Sequence, residues 1–170
     1  MKLLLLLAAA VALSSAESFQ SRLADYQKLH DRAASQVSKL KPTHRPEDIA
    51  RHQRDLAYKI RTARSQAAQG NIFTAEIAAQ FKGVIAEIMK GEDGVKVRQS
   101  LARGEPVSAD GLRVNQPYPK GVPLQTTPPT LLAKLPPLPT GYEYRLVGSS
   151  LVLFDVEAGL VVDYLPAAIP

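Results

Sequence analysis

The side chains best suited to chemistry in this chain are few: three histidines, no cysteine and a scatter of carboxylates. Histidines that share a metal from one helix stand at a spacing such as i, i+4, on one face. His44 and His52 lack that spacing. A pair formed across two helices by His30 and His52 is the metal arrangement left open, and without thiolates it would have to recruit carboxylates. The plainer reading makes all three residues helix-surface or boundary histidines. No cofactor is expected.

Nucleophilic and hydrolytic chemistry find little support. The serines lie in ordinary helix or turn contexts, with no Gly-x-Ser-x-Gly elbow. No Walker loop and no Gly-x-Gly-x-x-Gly is present, which leaves nucleotide binding unsupported. Asp155, Glu157 and Asp163 cluster near one turn, so paired acids of the glycoside-hydrolase kind stay open as a hydrolase alternative. Turn formation and protection of a strand edge explain them better. No catalytic residue is assigned.

The arginines are more suggestive. At about 100° per residue, Arg54, Arg61 and Arg64 fall on one flank of a helix, with Arg51 further round. Such a row suits an anionic surface: lipid headgroups, a cell-wall polymer or an acidic partner protein. The competing reading is a solvated face that keeps the helix soluble.

The elements that must position these residues begin with an apolar leader. Met1-Lys2 precedes five leucines, Ala8 to Leu13 and then Ser14-Ser15-Ala16. A positive start, an apolar core of about a dozen residues and a small-residue cut after Ala16 read as a cleavable signal peptide over 1–16. The stretch falls short of the roughly 20 apolar residues that span a bilayer as a helix. The mature chain is therefore expected outside the cytoplasm, periplasmic or secreted, with no transmembrane segment and no nucleic-acid partner. With no cysteine to pair, an apolar core alone must hold it together.

Composition changes near residue 104. Residues 17–104 carry sixteen Lys/Arg against ten Asp/Glu, and 105–170 carry four against six. Eleven of the thirteen prolines lie from Pro106 onward. The first part reads as helical. Phe19, Leu23, Tyr26, His30, Ala33, Val37 and Leu40 form one stripe over 18–40, ended by Pro42. Ile49, Gln53, Leu56, Ile60, Ala63 and Ala67 form another over about 47–69, with Gly70 as its left-handed cap. The two stripes predict a helical hairpin. A third helix starts from Thr74 as N-cap and buries Ile77, Phe81, Val84, Ile85 and Ile88. A fourth covers Val95 to Ala102, stopped by Gly104 and Pro106.

Residues 105–140 are too proline-rich for regular structure, yet too apolar for a free linker. Val114, Tyr118, Val122, Leu124, Leu131, Leu132, Leu135 and Leu138 predict an extended strap, with one helical turn at Thr130 to Lys134. Residues 141–170 predict three antiparallel strands, Tyr142 to Val147, Ser150 to Phe154 and Leu160 to Leu165. The apolar runs Leu151 to Phe154 and Leu160 to Val162 need cover on both sheet faces, the helices on one and the strap on the other. The fold class is α+β, with 17–170 as one domain.

Several motifs, in order, resemble an exported bacterial protein family of unassigned function. They are Gln69 to Ala79, the stretch from Val114-Asn115-Gln116-Pro117-Tyr118 to Leu138, and Tyr142 to Asp163. The resemblance spans about 50–170 and implies export and architecture, not an activity. More loosely, Leu138 to Val162 resembles the small periplasmic domain of nickel/cobalt-efflux regulators: a proline-rich lead, a Gly-Tyr strand, a Val-Gly turn and a strand ending in aspartate. Together these readings predict an exported, non-enzymatic interaction module of the envelope. A periplasmic metal-responsive protein using His30 and His52 is one alternative, a hydrolase the other.

Overall fold

The computed structural model describes residues 2–103, 109, 111–118, 123 and 125–170, with side chains from Ser18 on. The elements are α1 Lys2–Ala34, α2 Pro46–Ala63, α3 Ala75–Lys90, α4 Glu92–Ala102, β1 Gln125–Thr126, α5 Pro129–Leu132, β2 Tyr142–Val147, β3 Ser150–Asp155 and β4 Leu160–Leu165. The fold is α+β. The stop at Gly104 and Pro106, the strap residues Val122 and Leu124, and the side chains of the leader lie outside the described residues.

In α1 the backbone helix is continuous from Lys2, and Phe19, Leu23, Tyr26, His30 and Ala33 are buried along it as the stripe predicts. It ends earlier than Pro42. After Ala34 the bonds tighten to i→i−3 (Gln36 to Ala33, Val37 to Ala34) and the Ser35 hydroxyl donates to the Arg32 carbonyl. Serine and β-branched residues compete poorly for helix here, so Leu40 comes out exposed.

Pro46 opens α2 with Glu47 and Asp48 in its first turn, and Leu56, Ala57 and Ile60 are its buried residues. It also stops early, at Ala63 rather than Gln69. The reason is tertiary. The Asn115 amide donates to the carbonyls of Arg61 and Arg64 at 3.2 and 2.9 Å, satisfying the last turn from a distant segment. Gly70 does adopt φ +90, but inside the α2–α3 loop and not as the cap of α2.

Thr74 caps α3 as expected, its hydroxyl accepting from Ile77 N at 3.4 Å. The buried face is Ile77, Phe81, Ile85 and Met89, with Val84 exposed and Ile88 partly covered. The next helix starts at Glu92, one turn sooner than predicted. A Cβ on Gly94 would lie 2.2 Å from the Met89 carbonyl oxygen, so only glycine admits this close turn between α3 and α4.

The sheet has order β1-β2-β3-β4, all antiparallel. The three predicted strands are β2, β3 and β4. The two-residue β1 comes from the strap and was not foreseen, because two residues have no periodicity to read. Between β3 and β4 the pairing steps from Phe154↔Val161 to Leu153↔Asp163, leaving Val162 as an extra residue on β4.

One sheet face carries Tyr144, Leu146, Leu151, Leu153, Val162 and Leu165 into a core shared with α1, α2, α3 and α4. Rings from four segments meet there: Phe19, Phe73, Phe81 and Tyr144, with centroids 5.0 to 6.4 Å apart. The strap divides its labour. Leu131, Leu135 and Leu138 join the helical side, while Leu112 and Tyr118 cover Val147, Val152 and Val161 on the other face.

Candidate functional site

The outer face of α2 is the first candidate. Arg54 and Arg61 are exposed, and neither makes an ion pair among the described residues. Seven residues apart, they are separated by about 10 Å along the helix and share its face. Tyr58 lies between them and is 65% exposed. Arg51 is bound to Asp48 at 2.6 Å, so its charge is answered internally.

Arg64 does not join this face. Its guanidinium carbon sits 4.9 Å from the Tyr26 ring centroid, and Nη1 donates to the Val162 carbonyl at 3.2 Å. That carbonyl belongs to the extra residue of β4, which has no residue opposite it in the β3–β4 register. Burial pushes the Arg64 guanidinium below its usual value, opposed by Tyr26 and Asp163. The flank of three arginines is thus two surface residues and one that joins α2 to the sheet.

The second candidate lies where α1, α2 and the β3–β4 turn meet. His30 and His52 both come to Glu157: His30 Nε2 is 3.6 Å from Oε2, and His52 Nε2 is 3.3 Å from Oε1. His30 Nε2 also lies 3.6 Å from Asp155 Oδ2, and its Nδ1 lies 3.6 Å from Asp31. His52 Nδ1 is 3.1 Å from the Ser38 carbonyl, which can only accept, so that nitrogen carries a proton. The cross-helix pair therefore has a shared carboxylate. Even so, among the described residues no group of three or more His, Cys, Asp or Glu is arranged to hold a metal ion.

Beside this cluster runs a groove of about 630 Å³ lined by Asp31, Lys39, Leu40, Ile49, His52 and Glu157, among others. Leu40 and Ile49, stripe positions in the sequence, are exposed here, Leu40 beyond the early end of α1 and Ile49 in the first turn of α2.

The three carboxylates near the turn play different parts. Asp163 is fully buried and accepts four backbone N–H bonds, from Gly70, Ile72, Phe73 and Tyr164 at 2.7 to 3.0 Å. It fixes the α2–α3 loop to β4. Asp155 is buried too and accepts from the Tyr26 hydroxyl at 2.7 Å and Ala158 N at 2.9 Å. Burial raises the Asp155 carboxyl above its usual range, against the pull of the Ala158 and Tyr26 bonds and of His30, while Glu157 pushes it further up. Only Glu157 is open to solvent, and the acid that shares its groove is Asp31.

Sequence reasoning passed over Tyr58. Its signal was present, as an aromatic residue off the apolar stripe and about 40° from Arg54. The inward bonding of Arg64, which is partly buried, had no local signal, since it depends on a bulge in a strand almost a hundred residues away.

No protein-family model matches the sequence, and no curated protein is significantly similar to it. Among solved structures, the C-terminal domain of inner membrane protein CigR from Salmonella enterica is similar over 54% of this chain and 89% of its own, at 23% identity and a TM-score of 0.40. A likeness of that size carries neither a role nor a site to this chain. Among the described residues, no helix is long and apolar enough to cross a membrane.

Proposed function

We propose that this chain is an exported, non-enzymatic interaction module that holds an anionic component of the cell envelope on the outer face of α2. The observation that carries the reading is the pair Arg54 and Arg61, two exposed guanidiniums without a carboxylate partner among the described residues, flanking an exposed tyrosine. A charge left unpaired on a surface is available to a partner, whereas one already bonded inward, as in Arg64, is not. The leader over residues 1–16 supports export, to the periplasm or beyond. Export makes lipid headgroups, wall polymers and acidic proteins the anions at hand. Replacing Arg54 and Arg61 by glutamate should abolish capture of envelope components by the purified chain. Undiminished capture by that variant would remove the proposal.

A second reading, a metal-responsive protein, draws on the convergence of His30 and His52 at Glu157. The two imidazoles and the carboxylate would have to rearrange to take an ion, since among the described residues no three such groups are arranged to hold one. Calorimetry with nickel, copper and zinc decides it: micromolar binding abolished by His52→Ala supports the reading, and no heat ends it.

A further inference from the structure

The anionic partner of α2 can be narrowed by what stands between its two arginines. Taking Arg54 as the origin and about 100° per residue, Arg61, Tyr58, Arg51 and Thr62 fall between about −20° and +80°. From Arg51 to Thr62 that arc holds no carboxylate; Asp55 borders it at about 100°, and Glu47, in the first turn, falls within it at about 20°. The centre of the arc is the Tyr58 ring, 65% exposed and without a ring or hydrogen-bond partner for its side chain among the described residues. Between Arg51 and Thr62 the rest of the exposed arc is cationic or hydroxylic.

A soluble polyanion would be served by the arginines alone and would leave the ring in water. A bilayer surface uses both kinds of group. Guanidiniums pair with phosphate oxygens through their planar fork, and an amphipathic ring settles at the headgroup level with its hydroxyl outward. The ring projecting between two unpaired cations on one exposed helical face favours the bilayer.

We infer that the outer face of α2 docks on an anionic phospholipid surface, Arg54 and Arg61 engaging headgroup phosphates while the Tyr58 ring enters the interface. This rests on the proposal that the same face holds an anionic envelope component, and names that component.

Vesicle co-sedimentation tests it, using phosphatidylglycerol-containing and pure phosphatidylcholine vesicles, with soluble inorganic polyphosphate binding measured in parallel. At about 1 kcal/mol for each basic residue near an anionic surface, Arg54→Gln with Arg61→Gln should weaken partition to the anionic vesicles by about 30-fold. Tyr58→Ser should weaken vesicle binding and leave polyphosphate binding unchanged. All three side chains are exposed and make no bonds among the described residues, so the variants should match the parent in circular dichroism and melting. If polyphosphate is bound through the arginines but anionic vesicles are not, or if Tyr58→Ser leaves vesicle binding intact, the lipid inference fails and the anionic reading stands. If neither probe is bound, both fail.

Discussion

Asp163 shows how much one side chain can be asked to hold. Its carboxylate answers four backbone N–H groups from a fully buried position, so removing it strands the buried donors of Ile72 and Phe73 and frees those of Gly70 and Tyr164, which are only partly buried. Asp163→Ala should cost at least about 3 kcal/mol in urea unfolding, since each buried unsatisfied group costs about 1–3 kcal/mol. Asp163→Asn should recover part of that, because its amide oxygen can still accept. Equal stability of the alanine variant and the parent would refute the role. Asp155 gives the matching prediction in pH. Its folded value is raised above the usual 3.8, chiefly by burial, so folding takes up a proton above that value. The stabilisation is full below the unfolded value and is lost as pH rises through the folded one. Asp155→Asn should therefore flatten the stability profile on the mildly acidic side, as read by melting against pH.

At the scale of elements, the starts of α2 and α3 and the end of α4 were legible, whereas the ends of α1 and α2 and the start of α4 were not. Thr74 and Pro46 act locally, as N-cap and first-turn proline, and both stand where sequence chemistry puts them. The end of α2 is set by Asn115, which sits at φ +61 and reaches the carbonyls of Arg61 and Arg64. A cap arriving from fifty residues away has no trace in the helix's own sequence. Asn115→Ala should lower stability by about 1–2 kcal/mol through those two lost bonds, with hydrogen exchange accelerated first in the last turn of α2. Protection there equal to the parent would contradict this account. Gly94 is subject to a harder constraint. Gly94→Ala drives a Cβ against the Met89 backbone, and because backbone cannot rotate aside the α3–α4 turn must open; the melting temperature should fall by several degrees.

For the molecule as a whole, the β-meander was readable because continuous apolar runs, turn glycines and strand lengths agreed, and the helical layer because apolar stripes are local. The candidate face on α2 was legible in part. Periodicity put Arg54, Arg61 and Arg64 on one flank, but periodicity records direction around an axis and not what lies opposite. Only the packed sheet decides that Arg64 faces Tyr26 and Val162 while the other two face solvent. Charge on this molecule is accordingly divided between assembly and surface. The same contrast gives the most direct test of the central claim. Envelope capture and thermal stability should be measured together on Arg54→Glu with Arg61→Glu, and separately on Arg64→Met. The account predicts lost capture at unchanged stability for the first, and reduced stability with capture retained by the folded fraction for the second. Capture that survives reversal of both surface charges, or that is lost in folded Arg64→Met protein alone, would contradict it.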